Sequence, residues 1–295
     1  MTSPSAFSQL SSESPRLSWH RGDLEQRLFF NGGRFTRVNT ALSFLLAVFG
    51  TVFYYVMLLP FPDSWFNNKF IGQGVIPYSI AFFSAWCLAI LFIKWRKLAF
   101  QKRCLTMRLL PETPGFVLSP RNVNVVMERM TELVDDPRQF VLFNRISVAL
   151  SNLQNMGRVS DLDEILRNHS DSDEAISESS YLVLAGFLWA IPILGFIGTV
   201  LGLSIAIGEF GTVMNASGKA DALLPALKQV TNGLGLAFDT TLEALVAALA
   251  IQLMITFLKK SEQEFLDSCS EYCSRDIVNK LRILPFHDAE SETVA

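Results

Sequence analysis

The distribution of apolar residues divides the chain into four long apolar stretches separated by polar segments. A helix that crosses a bilayer needs about 20 mostly apolar residues. Stretches of this kind run over residues 40–59, 76–93, 179–208 and 233–258. Only the fourth contains charged residues, which are Asp239 and Glu243. The pattern therefore predicts an all-α integral membrane protein with four transmembrane helices, a helical cytoplasmic loop and a helical tail.

Five segments follow from these spans. They are a partly disordered N-terminal segment (1–39), a hairpin of the first two spans (40–95), a helical loop (96–179), the third and fourth spans (180–258) and a helical tail (259–295). The Ser- and Pro-rich residues 1–15 and the acidic residues 286–295 lack the apolar content that a packed core needs, which predicts disorder.

Two signals predict helices in the loop 96–179. Asp136-Pro137 is typical of a helix start, and apolar residues recur at helical spacing over 140–153. Ser170-x-x-Asp173 resembles a capping box, which predicts that the third spanning helix begins there and continues into the membrane.

The basic residues indicate how the chain crosses the membrane. Of the 25 Lys and Arg residues, 22 lie before the first span, in the loop 96–179 with the adjoining Lys94, or after the fourth span. Loops rich in Lys and Arg stay on the cytoplasmic side. We therefore expect a multi-pass membrane protein with both termini in the cytoplasm.

Composition and charge exclude several other functions. Half of the residues are apolar, only 18% are charged and the net charge is −3, so no basic excess points to nucleic acid. Cys269 and Cys273 do not have the spacing of a zinc site, and no nearby His completes one. No phosphate-binding loop, nucleophile elbow or catalytic carboxylate pair is visible. We expect neither enzyme activity nor a cofactor or metal.

The third span carries the most specific pattern. Gly195, Gly198 and Gly202 follow a three-then-four spacing and form one bare stripe along the helix. Small residues let helix backbones approach closely in a membrane. Pro192 removes a backbone donor and is expected to kink the helix. Thr199 lies beside the stripe; it either lines a polar path or simply bonds to its own backbone in a tightly packed helix.

The fourth span has a second small stripe and two acids. The stripe consists of Gly233, Ala237, Thr240 or Thr241, Ala244 and Ala247 or Ala248. Asp239 and Glu243 share another side of the helix, about 200° from Thr241 at roughly 100° per residue. Carboxylates are costly inside a bilayer, so this side faces water or a partner. Asp239 alternatively lies near the outer surface of the membrane, where water solvates its carboxylate.

The depths of two threonines agree. Thr199 lies nine residues before Gly208, and Thr241 lies nine residues after Asn232. At about 1.5 Å per residue, both are roughly 13 Å below the outer surface. Antiparallel neighbouring helices would bring the two hydroxyls to one level, where they could line a narrow hydrated pore.

These residues resemble a known family. The run Pro192-x-x-Gly195-x-x-Gly198-Thr199-Val200-x-Gly202 is similar to the core motif of the MotA/TolQ/ExbB proton-channel family, above all its ExbB/TolQ branch. Thr241 followed by residues 245–248 resembles that branch's last span. The resemblance covers about 180–258. It implies a homopentamer around the membrane helices of a single-span ExbD/TolR/MotB-like partner with a membrane Asp, with Thr199 and Thr241 as pore-lining residues.

This sequence also differs from the ExbB/TolQ branch. It has four spans, as MotA does, whereas that branch usually has three. The branch's Glu, five residues before the last-span Thr, corresponds to Leu236, and Asp239 lies one turn further along. We expect Thr199, Thr241, Thr240, Asp239 and Glu243 to lie along an ion pathway.

The predicted function is therefore a proton-channel subunit of a motor driven by the proton motive force. One alternative is a multipass scaffold without ion flux, and another is a subunit similar to a flagellar stator. A secondary transporter would show inverted repeats, which the sequence lacks.

Overall fold

The computed structural model describes residues 17–28, 30, 32–60, 74–107, 109–110, 118, 122–156, 160–215 and 220–280. Within these residues the fold is all-helical. The α-helices are α1 (Trp19–Gly22), α2 (Leu24–Arg27), α3 (Thr40–Leu58), α4 (Val75–Gln101), α5 (Val123–Leu133), α6 (Val141–Met156), α7 (Ser160–Ser179), α8 (Leu182–Asn215) and α9 (Ala220–Tyr272). Short 3₁₀ turns cover Lys102–Thr106, Pro137–Gln139 and Val278–Lys280, and a π-helical turn covers Cys273–Ile277.

Four of the helices are long and apolar enough to cross a membrane, which confirms the predicted fold class. The apolar stretches lie in α3, α4, α8 and α9, and we call these helices the first to fourth spans. Helix α8 continues to Asn215 and α9 begins at Ala220. Both helices extend beyond their apolar stretches because helix-forming polar residues, such as Lys228 and Gln229, can continue a helix outside the hydrocarbon.

The chain divides into two compact units. The polar unit comprises Met1–Arg37, Arg96–Ser179 and Ser261–Ala295, and the span unit comprises Val38–Trp95 and Ser180–Lys260. The predicted disordered residues 1–15 and 286–295 lie outside the described part of the chain.

The core of the polar unit forms around aromatic rings and the predicted loop helix. Trp19 is 2% exposed and packs edge-on against Phe140, with ring centroids 5.3 Å apart. Asp136 accepts a hydrogen bond from the backbone N–H of Arg138 and starts a 3₁₀ turn ahead of α6. The apolar residues of 140–153 that recur at helical spacing are buried, as predicted: Phe140, Phe143, Ile146, Leu150 and Leu153.

The predicted capping box is wrong. Ser170 and Asp173 lie inside α7, which begins at Ser160, and not at a helix start. The carboxylate of Asp173 instead accepts a hydrogen bond from Arg145 Nε at 2.6 Å, and both side chains are buried. Arg145 Nη1 also donates to Ser270 on α9 at 2.8 Å. Arg145 on α6 therefore connects α7 and α9, and Asp173 is its ion-pair partner on α7 and not a helix cap.

Buried charges also hold the N-terminal segment in the polar unit. Lys97 is 3% exposed and its ammonium donates to the Glu25 carboxylate at 2.5 Å. It also donates to the carbonyl oxygen of Arg37 at 2.8 Å. In the same unit, the Asp135 carboxylate accepts hydrogen bonds from the Ser18 hydroxyl and the Trp19 backbone N–H, both at 2.8 Å.

In the span unit, bulky aromatic residues divide between two environments. Phe49 and Phe53 of the first span are 70% and 59% exposed, as expected of side chains that face lipid. Trp86 of the second span instead packs on Phe187 of α8, with ring centroids 4.6 Å apart, and donates from Nε1 to the Ser43 hydroxyl. Some of the aromatic residues of the first two spans thus join the span helices to one another.

Candidate functional site

The two small-residue stripes of the third and fourth spans pack directly against each other. A Cβ placed on Gly195 would lie 2.5 Å from the Ala244 Cβ, and one on Gly202 would lie 2.9 Å from the carbonyl oxygen of Gly233. No side chain fits at either position without movement. The pairing of early residues in α8 with late residues in α9 is that of antiparallel neighbours. The glycines therefore set the close approach that small residues allow in a membrane.

The hydroxyls of Thr199 and Thr241 meet within this contact. The two Oγ1 atoms are in hydrogen-bond contact, and both side chains are half-buried. The sequence therefore predicts correctly that the two hydroxyls lie at the same level of the helix pair. The contact exists because the neighbouring glycines let the helix backbones come close enough for two short side chains to touch.

Two carbonyl oxygens complete the polar cluster around the threonines. Thr199 Oγ1 lies 3.1 Å from the Gly195 carbonyl oxygen, and Thr241 Oγ1 lies 3.2 Å from the same oxygen. Thr241 Oγ1 also lies 3.2 Å from the Ala237 carbonyl oxygen. Each hydroxyl has a single proton to donate and two lone pairs. The cluster can therefore hold its protons in several alternative patterns, which is the property that a hydrogen-bonded proton path requires.

Thr240 occupies a different position from Thr241. It is 1% exposed, and its hydroxyl donates to the Ala237 carbonyl oxygen at 3.0 Å. A Cβ on Gly198 would lie 2.5 Å from this hydroxyl. Thr240 thus packs under Gly198 inside the helix contact and is not part of the Thr199–Thr241 pair.

Pro192 lies in the interior of α8, which stays helical on both sides of it. It precedes the glycine stripe by less than one turn. Ile191 beside it is fully buried.

Asp239 and Glu243 do not join the threonines. They line a cavity of about 730 Å³ whose other walls come from the first and second spans. We call this cavity the acidic groove. Residues from α3 and α4 on its wall include Gly50, Thr51, Tyr54, Ser84, Ala85 and Phe92. The structure therefore separates the five predicted pathway residues into a threonine pair, a packed Thr240 and an acidic groove.

The polar wall of the acidic groove was not predicted from the sequence. Thr51, Tyr54 and Ser84 lie in the first two spans, for which the sequence predicts no site residue. Their signal was present as a few polar residues among the bulky ones, but only the packing of α3 and α4 against α9 brings them to the acids. Among the described residues, no group of three or more His, Cys, Asp or Glu side chains could hold a metal ion.

Comparison with known proteins identifies the region that contains this site. Residues 137–271 match the model of the MotA/TolQ/ExbB proton channel family. The matched region begins just before α6 and reaches almost to the end of α9, so it includes both threonines and both acids. No curated protein and no solved structure matches the chain. The resemblance inferred from the glycine motif is confirmed: residues 137–271 of this multi-pass membrane protein are similar to the MotA/TolQ/ExbB proton channel family.

Proposed function

We propose that this chain is the proton-conducting subunit of an inner-membrane motor that is driven by the proton motive force. The single observation that carries the proposal is the meeting of the Thr199 and Thr241 hydroxyls inside the family-matched region. The pair lies between two glycine-rich backbones, and their close approach brings two hydroxyls and two carbonyl oxygens together within the apolar span unit.

The proposed path runs along these hydroxyls and the water they order. A hydroxyl can accept a hydrogen bond on one side and donate one on the other, so a proton can be passed along the chain. The carbonyl oxygens of Gly195 and Ala237 can accept a hydrogen bond from a threonine hydroxyl when that hydroxyl is not donating to a water molecule. Because a hydroxyl barely titrates near neutral pH, the pair conducts protons without storing them. The carboxylates of Asp239 and Glu243 are not needed in this path.

The proposal includes an assembly. Copies of α8 and α9 would surround a common axis in a homopentamer in the lipid bilayer, with both termini in the cytoplasm. A single-span partner of the ExbD/TolR/MotB type would occupy that axis and supply the membrane Asp that binds and releases the proton. The family match supports this arrangement, because the family implies both an oligomer and such partners.

Proton flux into vesicles tests the proposal. The full chain is copurified with the product of a neighbouring reading frame that encodes one apolar span with an Asp, and the complex is reconstituted into liposomes. Uptake is followed with a pH-sensitive dye under an imposed membrane potential. Thr199→Val and Thr241→Val keep side-chain volume and remove the hydroxyl, so each should abolish uptake while the complex stays assembled.

The matched control is Thr256→Val. Thr256 is exposed on the same helix as Thr241, and its hydroxyl donates to the carbonyl oxygen of Gln252, at 2.9 Å. This variant should conduct as the wild type does. Wild-type flux in both Thr199→Val and Thr241→Val would show that the threonines only pack the two helices, as a scaffold requires.

A further inference from the structure

The acidic groove has the size and wall of a small-molecule site. Its volume of about 730 Å³ falls in the range of roughly 300–1,000 Å³ that is typical of ligand pockets. Most of its wall is apolar, with Leu88, Ala89 and Val246 among its residues. A few polar groups interrupt that wall. An apolar cavity with a few converging polar groups is the usual form of a binding site.

The carboxylate of Glu243 is the polar group that defines the groove. Glu243 is half-buried and, in the part of the chain that the structure describes, it forms neither a hydrogen bond nor an ion pair. It lies 11 residues after Asn232, so it is about 16 Å along the helix from the outer end of the span. A carboxylate at that depth is stabilised only by a partner of opposite charge, by water or by a proton.

A second polar atom in the groove is also without a partner. Ser84 lines the groove from α4, and its Oγ is buried with no hydrogen-bond partner among the described residues. Buried polar atoms are nearly always hydrogen-bonded in folded proteins, so such an atom marks a place for a bound group. A hydroxyl oxygen can accept a hydrogen bond from an N–H donor.

The aromatic rings in the wall suit a cation as well. Tyr54 of the first span and Phe92 of the second both line the groove. The face of an aromatic ring attracts an ammonium group, and the attraction is larger where water is excluded. The Glu243 carboxylate, the Ser84 hydroxyl oxygen and the ring of Tyr54, which lies within electrostatic range of Glu243, each favour an ammonium group.

We propose that the acidic groove binds a lipophilic primary amine, with its ammonium group at the Glu243 carboxylate and its hydrocarbon chain along the apolar wall. An alcohol of the same chain length would fit the wall but would lack the ion pair. The amine can come from a free amphiphile or from an aminophospholipid. This site does not depend on proton conduction by the threonines.

Photolabelling with a matched pair of probes tests the proposal. The probes are dodecylamine and dodecanol, each carrying the same diazirine on the chain, added to the full-length chain in phosphatidylcholine vesicles at neutral pH. Labelled peptides are identified by mass spectrometry. The amine should label the groove segments of α3, α4 and α9 about tenfold more than the alcohol, the ratio that roughly 1.4 kcal/mol of added affinity produces.

Two variants separate recognition of the amine from loss of the fold. Glu243→Gln keeps the side-chain shape and removes the charge, so amine labelling should fall to the level of the alcohol while alcohol labelling stays unchanged. Ala85→Leu fills part of the groove and should reduce labelling by both probes. Equal labelling by amine and alcohol in the wild type, or an unchanged preference for the amine in Glu243→Gln, would overturn the proposal.

A competition experiment distinguishes the two sources of the amine. The amine probe is added to vesicles that contain phosphatidylethanolamine in place of part of the phosphatidylcholine. Suppressed labelling supports the proposal with the lipid amine as the ligand. Undiminished labelling supports it with a free amphiphilic amine.

Discussion

Gly195 and Ala244 leave no space between them, since a Cβ on Gly195 would lie 2.5 Å from the Cβ of Ala244. Gly195→Ala must therefore push α8 away from α9 or distort one of them. Overpacking of this kind costs about 1–3 kcal/mol. We expect the variant to lower the apparent Tm of the chain in detergent micelles, measured by intrinsic fluorescence.

Two other glycines provide matched controls for this substitution. Among the described residues, neither Gly186 on α8 nor Gly235 on α9 has an atom of another helix within 4 Å of the place where a Cβ would stand. Gly186→Ala and Gly235→Ala should keep or slightly raise the Tm, because Ala is the better helix former. A Tm for Gly195→Ala equal to that of these two variants would contradict the close packing of the stripes.

The buried pair of Arg145 and Asp173 predicts a large effect in the polar unit. Their side chains are 1% and 4% exposed, so removing Asp173 leaves the guanidinium of Arg145 buried without a carboxylate partner. Breaking a buried pair in this way costs about 3–5 kcal/mol. We expect Asp173→Asn to destabilise the chain by an amount of this order, measured by chemical unfolding in detergent.

An exposed pair of the same residue types serves as the control. Arg167 Nε and the Asp163 carboxylate are 3.0 Å apart, with side chains that are 78% and 49% exposed. Surface pairs are worth about 0–1 kcal/mol. Asp163→Asn should therefore change stability little, and a loss as large as that of Asp173→Asn would mean that burial does not decide the effect.

Asp135 predicts an acid-dependent contribution to stability. Partial burial raises its pKa, but hydrogen bonds from the Trp19 N–H, the Ser18 hydroxyl and two further backbone N–H groups outweigh burial and hold the pKa below its ordinary value of 3.8. A carboxyl group with a lowered pKa in the folded state stabilises the fold above its unfolded pKa. That contribution is lost as the pH falls through the folded pKa.

The measurement is the unfolding midpoint as a function of pH. Between neutral pH and about pH 5 the wild type should be more stable than Asp135→Asn, and the difference should shrink below about pH 4. Ser18→Ala removes one of the hydrogen bonds and should reduce the difference in part. A constant offset between wild type and Asp135→Asn across this pH range would show that the carboxylate acts only as a packing group.

The glycine stripes and the threonine level follow from the sequence because they depend on the helix alone. Spacing along one helix places Gly195, Gly198 and Gly202 on one side, and depth places Thr199 level with Thr241. The side of a helix on which a residue lies follows from its spacing along that helix, so it can be predicted without the rest of the fold. The same holds for the buried apolar face of α6.

The contacts that the sequence did not show join residues far apart in the chain. Ser170-x-x-Asp173 has the form of a capping box, but Arg145, 28 positions earlier, takes the acid as its partner. The acidic groove depends on how α3 and α4 pack against α9. The spacing of residues within one helix does not predict this packing. A local interaction such as a helix cap competes with partners that are distant in sequence. The distant partner is favoured where it would otherwise be a buried charge without an ion pair.

The central claim is that Thr199 and Thr241 line a hydrated passage, and cysteine accessibility in native membranes measures this most directly. The four natural cysteines are buried, so they give little background. Leu249, which is 63% exposed on the apolar side of α9, provides a dry control position, and Gly208 provides a position at the end of the apolar stretch of α8. A membrane-impermeant methanethiosulfonate reacts with a thiolate and therefore needs water at the site. Our account predicts labelling of Thr199→Cys, Thr241→Cys and Gly208→Cys, and none of Leu249→Cys. Labelling of Gly208→Cys alone would contradict it.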